Sequence, residues 1–151
     1  MSSSSGLNNA EVFLNKVSVR VLVVDDFEPW RRSVRLLLQQ ADLQVIGEVS
    51  DGLEAVQKAE ELQPDLVLMD IGLPTLNGIE AAHRIHRIVS EAKILFLTQN
   101  NDPEVVSAAL LNGARGYILK MDAKSELLAA IEAVIRGGMF VSRRLERPNP
   151  D

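Results

Sequence analysis

Short apolar runs that stop at a polar residue alternate along this chain with longer stretches whose apolar residues recur every three or four positions. The runs are Val19-Arg20-Val21-Leu22-Val23-Val24, Val45 to Val49, Leu66-Val67-Leu68-Met69, Ile94-Leu95-Phe96-Leu97 and Tyr117-Ile118-Leu119. Their length and β-branched content predict strands buried on both faces. Between them, Trp30, Val34, Leu37, Leu38 and Ala41 form one stripe at helical spacing behind Pro29, which favours a helix start. The turn Asp51-Gly52 leads into a helix over Leu53 to Leu62, with Val56, Ala59 and Leu62 on one side, closed by Gln63-Pro64. Asn77-Gly78 opens a helix carrying Ile79, Ala82, Ile85 and Val89. Asp102-Pro103 caps another through Leu111, which Gly113 ends, and the last runs from near Ala123 to Arg136, where Gly137-Gly138 stops it. Five strands alternating with five helices imply right-handed crossovers and a parallel sheet with helices on both faces.

In such a sheet every strand end falls along one edge, where open α/β folds keep their chemistry. The first strand ends in Asp25 and Asp26, the third in Asp70, the fourth in Thr98 and the fifth in Lys120. Two carboxylates about 4 Å apart repel by roughly 4 kcal/mol at an effective dielectric near 20, and one lysine does not neutralise three of them. A hard divalent cation with oxygen ligands does, and Mg²⁺ takes one or two carboxylates, waters and phosphate oxygens. Asp26, Asp70 and the backbone carbonyl of Gly72 are the natural ligands, with Asp25 acting through water. Asp70 is then the residue to attack phosphorus and carry an acyl phosphate, Lys120 stabilises the transferring oxygens, and Thr98 bonds one of them.

Composition narrows the class. The chain has 151 residues, 46% hydrophobic and 25% charged, which suits one globular domain. A net charge of −5 argues against nucleic-acid binding through a large basic surface, and Arg143, Arg144 and Arg147 are too few to change that. Without cysteine there are no disulfides or thiolate metal sites. No signal peptide and no apolar run long enough to span a bilayer follows the serine-rich Met1 to Gly6, so a cytoplasmic protein without membrane contact is expected. Residues 1–16 read as a polar leader, either a disordered tail or a short docking helix, and 139–151 as a tail or linker remnant. His83 and His86, among Arg84 and Arg87, read as a solvated helix face rather than a metal or phosphorelay site.

Taken together and in order, Asp25-Asp26, Asp70 with Pro74 and Gly78, Thr98, and Tyr117 through Lys120 resemble the receiver domain of bacterial two-component response regulators. The resemblance spans about Val19 to Gly138, nearly all of the chain expected to be ordered, and makes 17–138 the receiver domain. It implies a flavodoxin-like, doubly wound five-stranded parallel sheet of order 2-1-3-4-5 with five helices. It also implies Asp70 as phosphoacceptor, Asp25 and Asp26 as the acidic Mg²⁺ pair, Thr98 as switch hydroxyl, Tyr117 as switch aromatic and Lys120 as the lysine that contacts the phosphoryl group. The implied phosphodonor is a histidine kinase or phosphotransfer protein, with small acyl phosphates as substitutes. A domain of this kind is a signalling switch rather than a turnover enzyme. Phosphorylation would draw Thr98 inward, let Tyr117 turn in, and reshape the face of helix four, strand five and helix five toward a second copy or a downstream protein.

Ile71-Gly72-Leu73-Pro74, Asn112 through Tyr117 and Gly137 through Ser142 are similar to the subfamily with a LuxR-type helix-turn-helix output. The present sequence ends at Asp151 without one, which reads either as a single-domain regulator or as an excised receiver. It departs from the family pattern at Met121, where many receivers have proline, at the bulky Gln99 and at Gly72. A receiver-like scaffold or interaction module that is not phosphorylated is the alternative reading.

Overall fold

The computed structural model describes residues 18–41 and 43–146; the leader 1–16 and the end of the tail from Arg147 lie outside the described residues. The elements run β1 (Arg20–Val24), α1 (Glu28–Gln39), β2 (Gln44–Val49), α2 (Gly52–Leu62), β3 (Leu66–Met69), α3 (Gly78–Ile88), β4 (Lys93–Thr98), α4 (Pro103–Leu111), β5 (Gly116–Leu119), a 3₁₀ turn (Lys120–Asp122), α5 (Ala123–Ile135), β6 (Phe140–Val141) and α6 (Arg143–Glu146). The sheet is parallel throughout, in the order β2-β1-β3-β4-β5-β6.

Two points extend the sequence reading. The sheet has a sixth strand: Phe140 and Val141, read as the start of a tail, pair with Gly116 and Tyr117. A two-residue strand is too short to leave a periodic pattern, and its pairing is decided by the open edge of β5. A one-turn helix, α6, follows it.

The pleat of the strands divides the core in two. Successive residues of β3 go to opposite faces: Leu66 and Leu68 pack with Val34, Leu38, Leu127 and Ile131 beneath α1 and α5, while Val67 and Met69 pack with Ala59, Ala82, Ile85 and Ala109 beneath α2, α3 and α4. The stripe from Trp30 to Ala41 faces the first of these layers, as its spacing predicts. Helix starts follow the side chains at their caps: Asp51, Asn77 and Asp102 each accept a first-turn backbone N–H. Gln63 closes α2 with φ at 52°, and Gly113, at 99°, follows the last turn of α4.

Candidate functional site

Sheet register brings the site together. Val24 pairs with Met69 and Thr98 with Leu119, so the residues that follow Val24, Met69 and Leu119, namely Asp25, Asp70 and Lys120, emerge side by side on the carboxyl edge. Backbone bonds carry the ladder one step further, Asp25 N donating to Val49 O at 3.1 Å and Asp70 N to Val24 O at 3.0 Å. A cleft of about 550 Å³ opens there, lined by Asp25, Asp26, Asp70, Gly72, Thr98 and Lys120 among others.

Asp25, Asp26 and Asp70 each offer a carboxylate oxygen within 4.8 Å of the others. Lys120 reaches in between: its Nζ donates to Asp70 Oδ2 at 3.3 Å and lies 2.7 Å from Asp25 Oδ2 in an ion pair. Asp25 is buried, and that burial, with the neighbouring Asp70 charge adding to it, pushes its carboxyl above the usual range despite the pull of Lys120 and a bond from Phe27 N. The second oxygen of Asp70 accepts from Ile71 N at 2.7 Å. One lysine against three acids leaves an excess of negative charge in the group. That donor set, all hard oxygens, fits a cation such as Mg²⁺.

Supports behind these groups were not legible in sequence. Trp30, read from sequence as part of the apolar stripe of the first helix, sits with its ring centroid 5.1 Å from Lys120 Nζ. Arg31 donates to the Asp25 carbonyl and places its Nε 3.4 Å from Glu48, bracing the Asp25-Asp26 turn against β2. Both arginine and tryptophan lie on the first helix, where only their facing to the sheet distinguishes them from ordinary surface and core residues. Gly78 has a clear geometric reason: a Cβ there would meet the Asp70 carbonyl oxygen at 2.1 Å. Gly72 faces open space at the cleft.

Thr98 is buried at the cleft wall, its hydroxyl accepting from Asn100 N at 3.3 Å, while Gln99 is exposed beside it. Tyr117 does not line this cleft. It is fully buried, its ring 6.2 Å from that of Phe96, and its hydroxyl donates to the Asn100 carbonyl at 2.6 Å. Burial, with the charges of Asp70 and Asp102, raises its phenol to about 12. Thr98 and Tyr117 thus meet at one residue, Asn100, which the sequence reading did not single out. His83 and His86 are exposed on α3, away from the acidic group.

Residues 21–132 match the family model of the response regulator receiver domain. The chain is 42% identical over 120 residues to the transcriptional regulatory protein LiaR of Bacillus subtilis (strain 168), covering 79% of this chain and 57% of that protein. A two-component response regulator of the LuxR family from Aurantimonas sp. SI85-9A1 superposes with a TM-score of 0.82 at 33% identity, over 85% of this chain and 93% of that one. The isolated REC domain of RcsB from Salmonella enterica serovar Typhimurium, determined in the presence of the phosphomimetic BeF3⁻, superposes at 0.80 and 27% identity, over 87% of this chain and 100% of that one. The chain spans about half the length of the curated relatives it matches. With its parallel sheet, its acidic edge and these matches, this chain belongs to the response regulator receiver family of two-component signalling, among the domains found in LuxR-family regulators.

Proposed function

We propose that this receiver domain accepts a phosphoryl group on Asp70 from a histidine kinase or phosphotransfer protein, and that the modification switches the face formed by α4, β5 and α5. The observation that carries this reading is the placement of Lys120 Nζ between Asp25 and Asp70, inside a group of three acids that has room for a cation. Asp26, Asp70 and the Gly72 carbonyl would hold Mg²⁺, with Asp25 acting through a bound water. Bound there, the ion supplies neutralisation of the incoming phosphoryl oxygens. An Asp70 oxygen forms the new bond to phosphorus while the donor's P–N or acyl P–O bond breaks, and the product is an acyl phosphate. Lys120 pairs with a phosphoryl oxygen, and the Thr98 hydroxyl, at the same cleft, donates to another.

The switch would follow from shared contacts. Thr98 and Tyr117 both bond to Asn100, so a pull on the threonine hydroxyl bears on the loop that holds the tyrosine. The partner of the reshaped face is a second copy of the domain or a downstream protein. In a protein of the relatives' length, that face would govern a DNA-binding output.

Incubation with acetyl phosphate and Mg²⁺, read by intact mass, tests the proposal. The wild type should gain one phosphoryl group, and none when the metal is chelated beforehand, and Asp70→Asn should gain none. Equal labelling of the two proteins would overturn it.

A further inference from the structure

The segment after α5 makes its bonds to the residues that flank Lys120. The Ser142 hydroxyl, fully buried, accepts from Leu119 N at 2.9 Å and bears on the Asp122 carboxylate. Ser142 N donates to the Tyr117 carbonyl at 2.9 Å. Arg144 closes the other side with two bonds to Asp122, Nε to Oδ2 at 2.9 Å and Nη2 to Oδ1 at 2.8 Å. Residues 119 and 122 are thereby gripped, and the 3₁₀ turn strung between them carries Lys120. Packing does not hold the middle of that turn, because Met121 is 73% exposed.

A bidentate guanidinium on a carboxylate fixes direction as well as distance. The Arg144 side chain is half exposed, and an ion pair so placed adds little to global stability. Its consequence is local: it sets the pitch of the turn and, through it, where the lysine stem leaves the backbone. The stem must end 2.7 Å from one carboxylate and 3.3 Å from another while lying over Trp30, so a small rotation of the turn misplaces the ammonium.

We infer that Ser142 and Arg144 are positioning residues for Lys120, and that residues 140–146 form a clasp tying the chain beyond α5 to the acidic site. This rests on the reading of Asp70 as the phosphoacceptor. Such a tie acts in both directions: what pulls on the segment shifts the lysine, and what draws the lysine into a phosphoryl group tightens the segment.

The test measures labelling by acetyl phosphate and Mg²⁺ in Arg144→Ala, Arg144→Lys and Ser142→Ala, each in the wild-type and in a Lys120→Ala background, with thermal melts alongside. Arg144→Ala should slow labelling roughly tenfold, as a slightly misplaced group does, with partial recovery in Arg144→Lys. In the Lys120→Ala background it should add nothing further. An equal loss in both backgrounds, or no loss in the first, overturns the inference. A second readout is independent of phosphorylation: Trp30, the one tryptophan of the chain, lies under the Lys120 ammonium, so Arg144→Ala should shift its emission. If the wild type takes no phosphoryl group, the proposed function fails and the emission alone decides: a shift upholds the clasp and an unchanged spectrum overturns it.

Discussion

The Lys120 ammonium lies 5.1 Å from the centre of the Trp30 ring, so the cation that serves the acidic edge is held from below by an aromatic face as well as from the side by carboxylates. An ammonium over an indole gains about 1 kcal/mol at a partly exposed site, which corresponds to roughly fivefold in a rate. Trp30→Leu should therefore slow acetyl-phosphate labelling a few-fold, and Trp30→Phe, which keeps a ring face, should lose less. Labelling kinetics of the two variants at equal Mg²⁺ check this, and identical rates would remove the ring from the site.

Gly78 begins α3 where the backbone passes the Asp70 carbonyl, and its N–H donates to the Ile71 carbonyl at 2.7 Å. A methyl group at that position would stand 2.1 Å from a backbone oxygen, which cannot yield as a flexible side chain does. Gly78→Ala should cost about 2 kcal/mol by overpacking, seen as a lower urea midpoint, and should displace Asp70. Gly72→Ala, in open space, should leave the midpoint nearly unchanged.

Asp25 is a buried carboxyl whose proton is held more tightly folded than unfolded, chiefly through desolvation. Between its ordinary value of 3.8 and the raised folded value, the unfolded chain releases the proton first, so stability falls as pH rises through that window and the penalty is complete above it. Asp25→Asn should therefore melt higher than wild type at neutral pH without Mg²⁺, with the difference shrinking as the pH falls toward 3.8. Added Mg²⁺ should stabilise the wild type more than the variant. Melting curves across pH, with and without the metal, measure both.

Tyr117 is the single tyrosine, which lets its titration be followed directly by absorbance. The phenol should stay protonated to about pH 12 in the folded protein. Because the unfolded chain ionises near pH 10, stability should drop between 10 and about 12, by about 3 kcal/mol in all. Tyr117→Phe should abolish this alkaline loss. At neutral pH it should cost about 1 kcal/mol for the Asn100 carbonyl left without its partner.

Much of the fold is legible from local pattern. Leu66 to Met69 and Ile94 to Leu97 are strands because an unbroken apolar run suits burial on both faces, and the stripe from Trp30 to Ala41 is a helix because its period is near 3.6. The polar residues that close those runs, Asp25, Asp70, Thr98 and Lys120, mark one edge of a parallel sheet, and all four line one cleft. Such features depend on neighbours a few positions away in the chain, and the sequence alone determines them.

What only the tertiary structure decided depends on residues brought together across tens of positions. The registers of β1 with β3 and of β4 with β5 place the ends from which Lys120 reaches between Asp25 and Asp70. The approach of α1 to that edge sets Trp30 beneath the lysine and Arg31 against the Asp25 carbonyl. The inward Tyr117, the sixth strand and the grip of Ser142 and Arg144 on the Lys120 turn belong to the same group. A side chain's direction and its distant partner follow from packing that no local period encodes, because period reports which face a residue takes and not what waits on that face.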